Sequence, residues 1–105
     1  MKRYDVYMVR LDPAQGSEMA KARPAVILSP DLMNRALHTV IIAPFTSTRK
    51  GWASRIPNRF GGKDGEIALD HIRSIDKSRL GRRLGKLDKA TASATSAVLV
   101  EMFEE

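Results

Sequence analysis

The chain alternates between short apolar runs and polar breaks, and most of the apolar runs have the length of a strand. Residues 4–11, rich in aromatic and β-branched types, predict a first strand that Asp12-Pro13 stops. Val26, Ile27 and Leu28 fall in a second strand over 24–29, because β-branched side chains suit a pleated, packed surface. Residues 30–34 predict a single helical turn. A third strand over 39–45 holds Val40-Ile41-Ile42-Ala43, apolar on both faces and therefore central. A long polar segment over 49–65 follows, containing a short strand at 53–57 that Pro57 assigns to an edge. Residues 66–69 and 72–76 predict two more strands around Asp70-His71, 78–81 a turn, and 84–87 a last extended piece. Asp88 then offers an N-cap to a helix over 89–103, where Ala94, Val98 and Met102 share one face with Thr91, Thr95 and Leu99 beside it. Many short strands with one terminal helix predict a mainly β fold, a small and strongly bent antiparallel barrel. No repeat or linker divides the chain, so residues 1–105 are expected to form one domain.

Composition narrows the function. The absence of cysteine excludes a disulfide framework and thiolate metal ligation, and His38 and His71 are too far apart for a zinc motif. No metal or cofactor is expected. No apolar run approaches membrane-spanning length and no signal-peptide pattern opens the chain, so the expectation is a cytoplasmic protein without a membrane. A net charge of +6 and a pI near 10.1 favour a polyanionic partner. Arg49, Lys50, Arg55, Arg59 and Lys63 follow one another without an intervening acid. A second basic run, from Arg73 through Lys77, Arg79, Arg82, Arg83 and Lys86 to Lys89, is broken only by Asp76 and Asp88. Trp52 and Phe60 lie inside the first run, and aromatic rings among cations favour nucleic acid, whose bases stack on them.

The chemistry-bearing residues gather at predicted strand ends. Ser17 and Glu18 lie on a polar loop leading to Arg23, and Pro24 biases Arg23 toward an extended conformation. A long cation is thereby held at the mouth of a strand with a carboxylate before it, able to bind an anion or act on one. Thr46-Ser47-Thr48 puts three hydroxyls at the end of the central strand. Nothing resembles a P-loop, a dinucleotide fingerprint or a Ser-His-Asp triad.

These residues also carry a family resemblance. Leu11-Asp12-Pro13, Gly16-Ser17-Glu18, Arg23-Pro24-Ala25-Val26, Leu28-Ser29-Pro30, Ala43-Pro44 with Thr46-Ser47, and Asp76-Lys77-Ser78-Arg79-Leu80 occur in the order found in the MazF/PemK toxins. The chain resembles these toxin halves of bacterial toxin–antitoxin pairs over almost its whole length. The resemblance implies an SH3-like barrel of the CcdB/PemK kind, a homodimer, and a sequence-specific, metal-independent endoribonuclease cutting single-stranded RNA (mRNA). It also implies a cognate MazE-like antitoxin with an acidic C-terminal segment. Family catalytic roles fall on Arg23 and Thr46, with Glu18 as a neighbour. Contacts to RNA are expected from Ser17, Ser47, Arg49, Lys50, Trp52, Arg55, Asp70, His71, Lys77 and Arg79.

Ser17 stands where some relatives carry histidine, Ala68 where the plasmid-encoded branch carries arginine, and His71 where glutamine is usual. The Arg23–Thr46 version of the mechanism is therefore preferred over a histidine-based one. The proton-transfer groups stay open among Arg23, Glu18, His71 and an alkoxide chain. Two other functions compete: a CcdB-like gyrase poison without nuclease chemistry, and a non-catalytic RNA-binding barrel. The Glu18/Arg23/Thr46 set argues against the first, since a pure binder needs no such constellation.

Overall fold

The computed structural model describes residues 1–11, 16 and 21–105. The described elements run β1 (Asp5–Arg10), β2 (Ala22–Ile27), α1 (Asp31–Ala36), β3 (Thr39–Thr46), β4 (Arg55–Phe60), β5 (Lys63–Ala68), β6 (Arg73–Asp76), β7 (Leu80–Lys86) and α2 (Lys89–Phe103). Short 3₁₀ turns at Leu69–His71 and Lys77–Arg79 flank β6. Among the described residues seven strands form one sheet in the order β4-β5-β3-β2-β1-β7, with β6 paired to β3 off that path. Every pairing is antiparallel. The sheet curls into a half-barrel, as the strand pattern predicted.

β3 is the spine. Along one edge it pairs with β2 from Ile42 to Pro44; along the other it pairs first with β6 over Thr39–Ile42, then with β5 at Phe45 and Thr46. Pro44 has no N–H to donate, and it stands where that second edge passes from β6 to β5. Both faces of the central strands are covered, which explains the unbroken apolar run in β3. Val6, Val26, Ala43, Ile56 and Ile67 build one core, sealed by Ala92, Val98 and Leu99 of α2. Val9, Ala25, Ile27, Val40, Ile42 and Ile75 build the other. Each such buried aliphatic side chain stabilises by about 1.5–3 kcal/mol relative to exposure.

Four expectations need correction. The stretch over 49–65 is not one long loop with a short strand: β4 and β5 form a hairpin across it, turning at Gly61-Gly62. Both glycines have positive φ, +59° and +77°, the backbone of a tight two-residue hairpin turn. The predicted turn at 78–81 ends at Arg79, and β7 then runs unbroken through the region read as a fragment, held against β1 with register shifts. β2 begins at Ala22 and ends at Ile27, so Arg23 lies within the strand and not before it. In α2 the packing face is Thr91, Ala92, Thr95, Val98 and Leu99, while Ala94 is exposed and Met102 is 38% exposed. The helix itself begins where expected, with the Asp88 carboxylate accepting the N–H of Thr91 at 2.7 Å. No helix among the described residues is long and apolar enough to cross a membrane.

Candidate active site

Three strands bring a cation, a hydroxyl and a carboxylate into one row. Ala25 of β2 lies opposite Pro44 of β3, so Arg23 and Thr46 fall at the adjoining ends of these two strands. Thr46 in turn lies opposite Glu66 of β5. Directly opposed residues of antiparallel strands point to the same face. Arg23, Thr46 and Glu66 accordingly line one groove of about 240 Å³, together with Pro24, Ser47, Asn58 and Lys63. Its apolar wall is Phe45 and Phe60, packed edge to face with centroids 5.5 Å apart.

Thr46 is held in a fixed orientation. Its side chain is buried, and its Oγ1 accepts the N–H of Thr48 at 3.1 Å. A hydroxyl that accepts from the backbone keeps its own hydrogen to donate. Close behind it lies Gly65: a Cβ there would stand 2.3 Å from the Thr46 carbonyl oxygen, so only glycine lets β5 approach this end of β3.

The rim beside the groove is an ion-pair network that the sequence did not reveal. Glu66 is 3% exposed; its Oε1 accepts the N–H of Lys50 at 3.0 Å and Arg55 Nη1 at 3.1 Å, and its Oε2 accepts the N–H of Gly51 at 2.9 Å. Arg55 then forks onto Asp70, with Nε 2.7 Å from Oδ1 and Nη2 3.3 Å from Oδ2. Ser54 Oγ donates to the same Oδ1 at 3.0 Å. The Lys50 N–H, followed by those of Gly51 and Arg55, holds the Glu66 carboxyl below its ordinary range against the opposing effect of burial. Burial pushes the Asp70 carboxyl up, but the hydrogen bonds from Arg55 and Ser54 prevail and keep it low. The hydrogen bond to Asp70 raises the Arg55 guanidinium. Arg55 and Glu66, eleven residues apart, are both buried, as charges rarely are unless paired, and the sequence carries no local signal of that pairing.

The other predicted site residues divide by location. Ser17 and Glu18 lie outside the described residues. Ser47 is exposed on the groove, and Arg49 and Lys50 are exposed on the loop beyond it. Trp52 is 54% exposed at the tip of that loop, with Lys50 Nζ 5.7 Å and Arg55 Cζ 4.8 Å from its ring. Arg55, expected from the sequence to contact RNA, has a side chain 5% exposed whose charge is taken by Glu66 and Asp70. Asp70 and His71, whose Nε2 is 3.6 Å from Asp70 Oδ2, are not among the groove's lining residues. Nor are Lys77, which donates to the Asn34 carbonyl of α1, and Arg79, which donates to the Arg10 carbonyl at 3.2 Å. Among the described residues no cluster of three or more metal-ligating side chains occurs.

Comparison with known proteins places this arrangement. The family of PemK-like, MazF-like toxins of type II toxin–antitoxin systems matches residues 2–103. The chain is 35% identical to the Endoribonuclease MazF of Staphylococcus saprophyticus, over 97% of this chain and 91% of that protein. Its fold is similar to the crystal structure of MazF from Deinococcus radiodurans, with a TM-score of 0.87 at 24% identity, covering 100% of this chain and 97% of the other. It is also similar to a chain of the MazE–MazF complex (Form-II) of the same organism, with a TM-score of 0.79 at 25% identity over 97% and 94%. Since the family match runs through the whole sheet and both helices, the chain belongs to the PemK-like, MazF-like toxins of type II toxin–antitoxin systems.

Proposed function

We propose that this toxin is an endoribonuclease that cuts single-stranded RNA, including mRNA, at short preferred sequences through the 2′-hydroxyl and without a metal ion. The observation that carries the reading is the sharing of one groove by Arg23 and Thr46. The named activity of the relative from Staphylococcus saprophyticus supports it. In this reading the 2′-oxygen bonds to phosphorus as the bond to the 5′-oxygen breaks, leaving a 2′,3′-cyclic phosphate and a 5′-hydroxyl. The negative charge gathering on the phosphate oxygens meets the Arg23 guanidinium, which forks onto such oxygens and stays charged, and the Thr46 hydroxyl donates to the same centre. Glu18, the carboxylate that the sequence puts before Arg23, takes part in proton transfer. In the same reading the active species is a cytoplasmic homodimer, silenced when the acidic segment of a MazE-like antitoxin covers the exposed loop that carries Arg49 and Lys50. The MazE–MazF complex of Deinococcus radiodurans supports that partner.

One assay tests the proposal. Purified protein is incubated with a long single-stranded RNA in EDTA, beside a gyrase and duplex-DNA reaction, using wild type and Arg23→Ala. Cutting by wild type that is lost in the variant is the expected result. RNA binding without scission, or DNA breaks that need gyrase, would replace this reading with one of the two competing functions.

A further inference from the structure

Between the groove and the exposed loop over 47–54 lies a carboxylate that the cleavage chemistry leaves unused. A simple cross-strand pair with Arg55 would suffice to join β4 to β5. Glu66 does more, spending one bond on each of two loop N–H groups, at Lys50 and at Gly51, whose φ is +67°. Arg55 carries the linkage outward. Its own N–H donates to the Trp52 carbonyl at 3.0 Å, its guanidinium lies 4.8 Å from the Trp52 ring, and its far side grips Asp70. Trp52 is thus referenced through backbone and ring to Arg55, Arg55 to Glu66, and Glu66 by strand register to Thr46.

We infer that Glu66 is a positioning residue that fixes the 47–54 loop, and with it the exposed ring of Trp52, relative to the Arg23–Thr46 pair. The inference deepens the ribonuclease reading and rests on it for its kinetic consequence. A half-exposed tryptophan on a tethered loop meets a base already ordered, whereas on a free loop it would be ordered only at the expense of binding. The network also neutralises Arg55, so the outward charge of the loop is that of Arg49 and Lys50.

Trp52 is the chain's one tryptophan, so its emission reports the loop directly. The full-length variants Glu66→Gln, Trp52→Ala, their double variant and Arg55→Lys are compared with wild type on a single-stranded RNA transcript. Far-UV circular dichroism establishes that each is folded. Expected for Glu66→Gln are a red-shifted emission more open to acrylamide quenching, and a loss of about tenfold in kcat/KM carried by KM. Arg55→Lys shifts both in the same direction, because an ammonium cannot bridge two carboxylates while lying flat on the indole. The double variant should be no worse than Trp52→Ala alone. Unchanged emission and KM in folded Glu66→Gln, or losses from Glu66→Gln and Trp52→Ala that simply add, would overturn the inference. Should Glu66→Gln not fold, Arg55→Lys decides by the same readouts. If wild type cuts no RNA, the ribonuclease reading fails by itself; the emission then decides, a red shift supporting the tether and an unchanged spectrum refuting it.

Discussion

Arg23 and Thr46 meet the groove with different chemistry, and their variants should differ accordingly. Arg23→Ala, at a half-buried position on the groove, should lower RNA cleavage by about 10²–10³-fold, the usual loss of one charge-stabilising donor. Thr46→Val keeps the shape but strands the Thr48 N–H; cleavage should fall with it, and chemical denaturation should show about 1 kcal/mol of lost stability. Gly65→Ala attacks the same spot from behind. Its Cβ meets the Thr46 carbonyl, so β5 must move away, costing about 1–3 kcal/mol and dragging Thr46 off its orientation. A Gly65→Ala protein with wild-type stability and activity would show that β5 does not constrain the site. Arg23 and Thr46 could be singled out in the sequence because their signals are local: a proline next door, a run of hydroxyls at a strand end. Glu66 and Arg55 could not, because each acquires its meaning from a partner eleven positions away across a hairpin.

At the scale of elements, that hairpin was the main omission. Its two strands carry charge on exposed positions, Arg59 and Asp64 pairing at 3.0 Å in solvent, so no clean alternation announced them. The Gly-Gly turn did, and it was read as loop chemistry. β1 and β3 were readable because their apolar pattern agrees with the final packing, and the start of α2 because its Asp88 cap forms, although its packing face was not. The loop preceding the hairpin carries the exposed cation Lys50, and Lys50→Ala should make the dependence of RNA affinity on salt shallower by about 0.7 in log–log slope. An unchanged slope would remove that loop from the binding surface. At the other end of the chain, Asp88→Ala removes the carboxylate that caps Thr91 and should lower the melting temperature without altering cleavage by the folded enzyme.

The whole molecule is a basic half-barrel whose acids are largely put to structural use. Asp5, Glu66, Asp70, Asp76 and Asp88 are each held below the ordinary carboxylate range in the folded state. The unfolded chain therefore binds more protons than the folded one in acid. The stabilisation these groups give is fully present above about pH 5 and is lost as pH falls through about 4 and lower. Urea midpoints measured from pH 6 down to pH 3 should drop steeply only at the acid end; a flat profile would mean the carboxylates contribute nothing. The fold class and single-domain organisation were expected from strand count and length, whereas the groove became visible only once β2, β3 and β5 were laid side by side. The most direct measurement of the central claim uses an RNA with a single 2′-deoxynucleotide on the 5′ side of a mapped cut. Wild-type protein is predicted to leave that one site intact while cutting its all-ribose control to a cyclic phosphate; scission at the deoxy site would contradict attack by the 2′-hydroxyl.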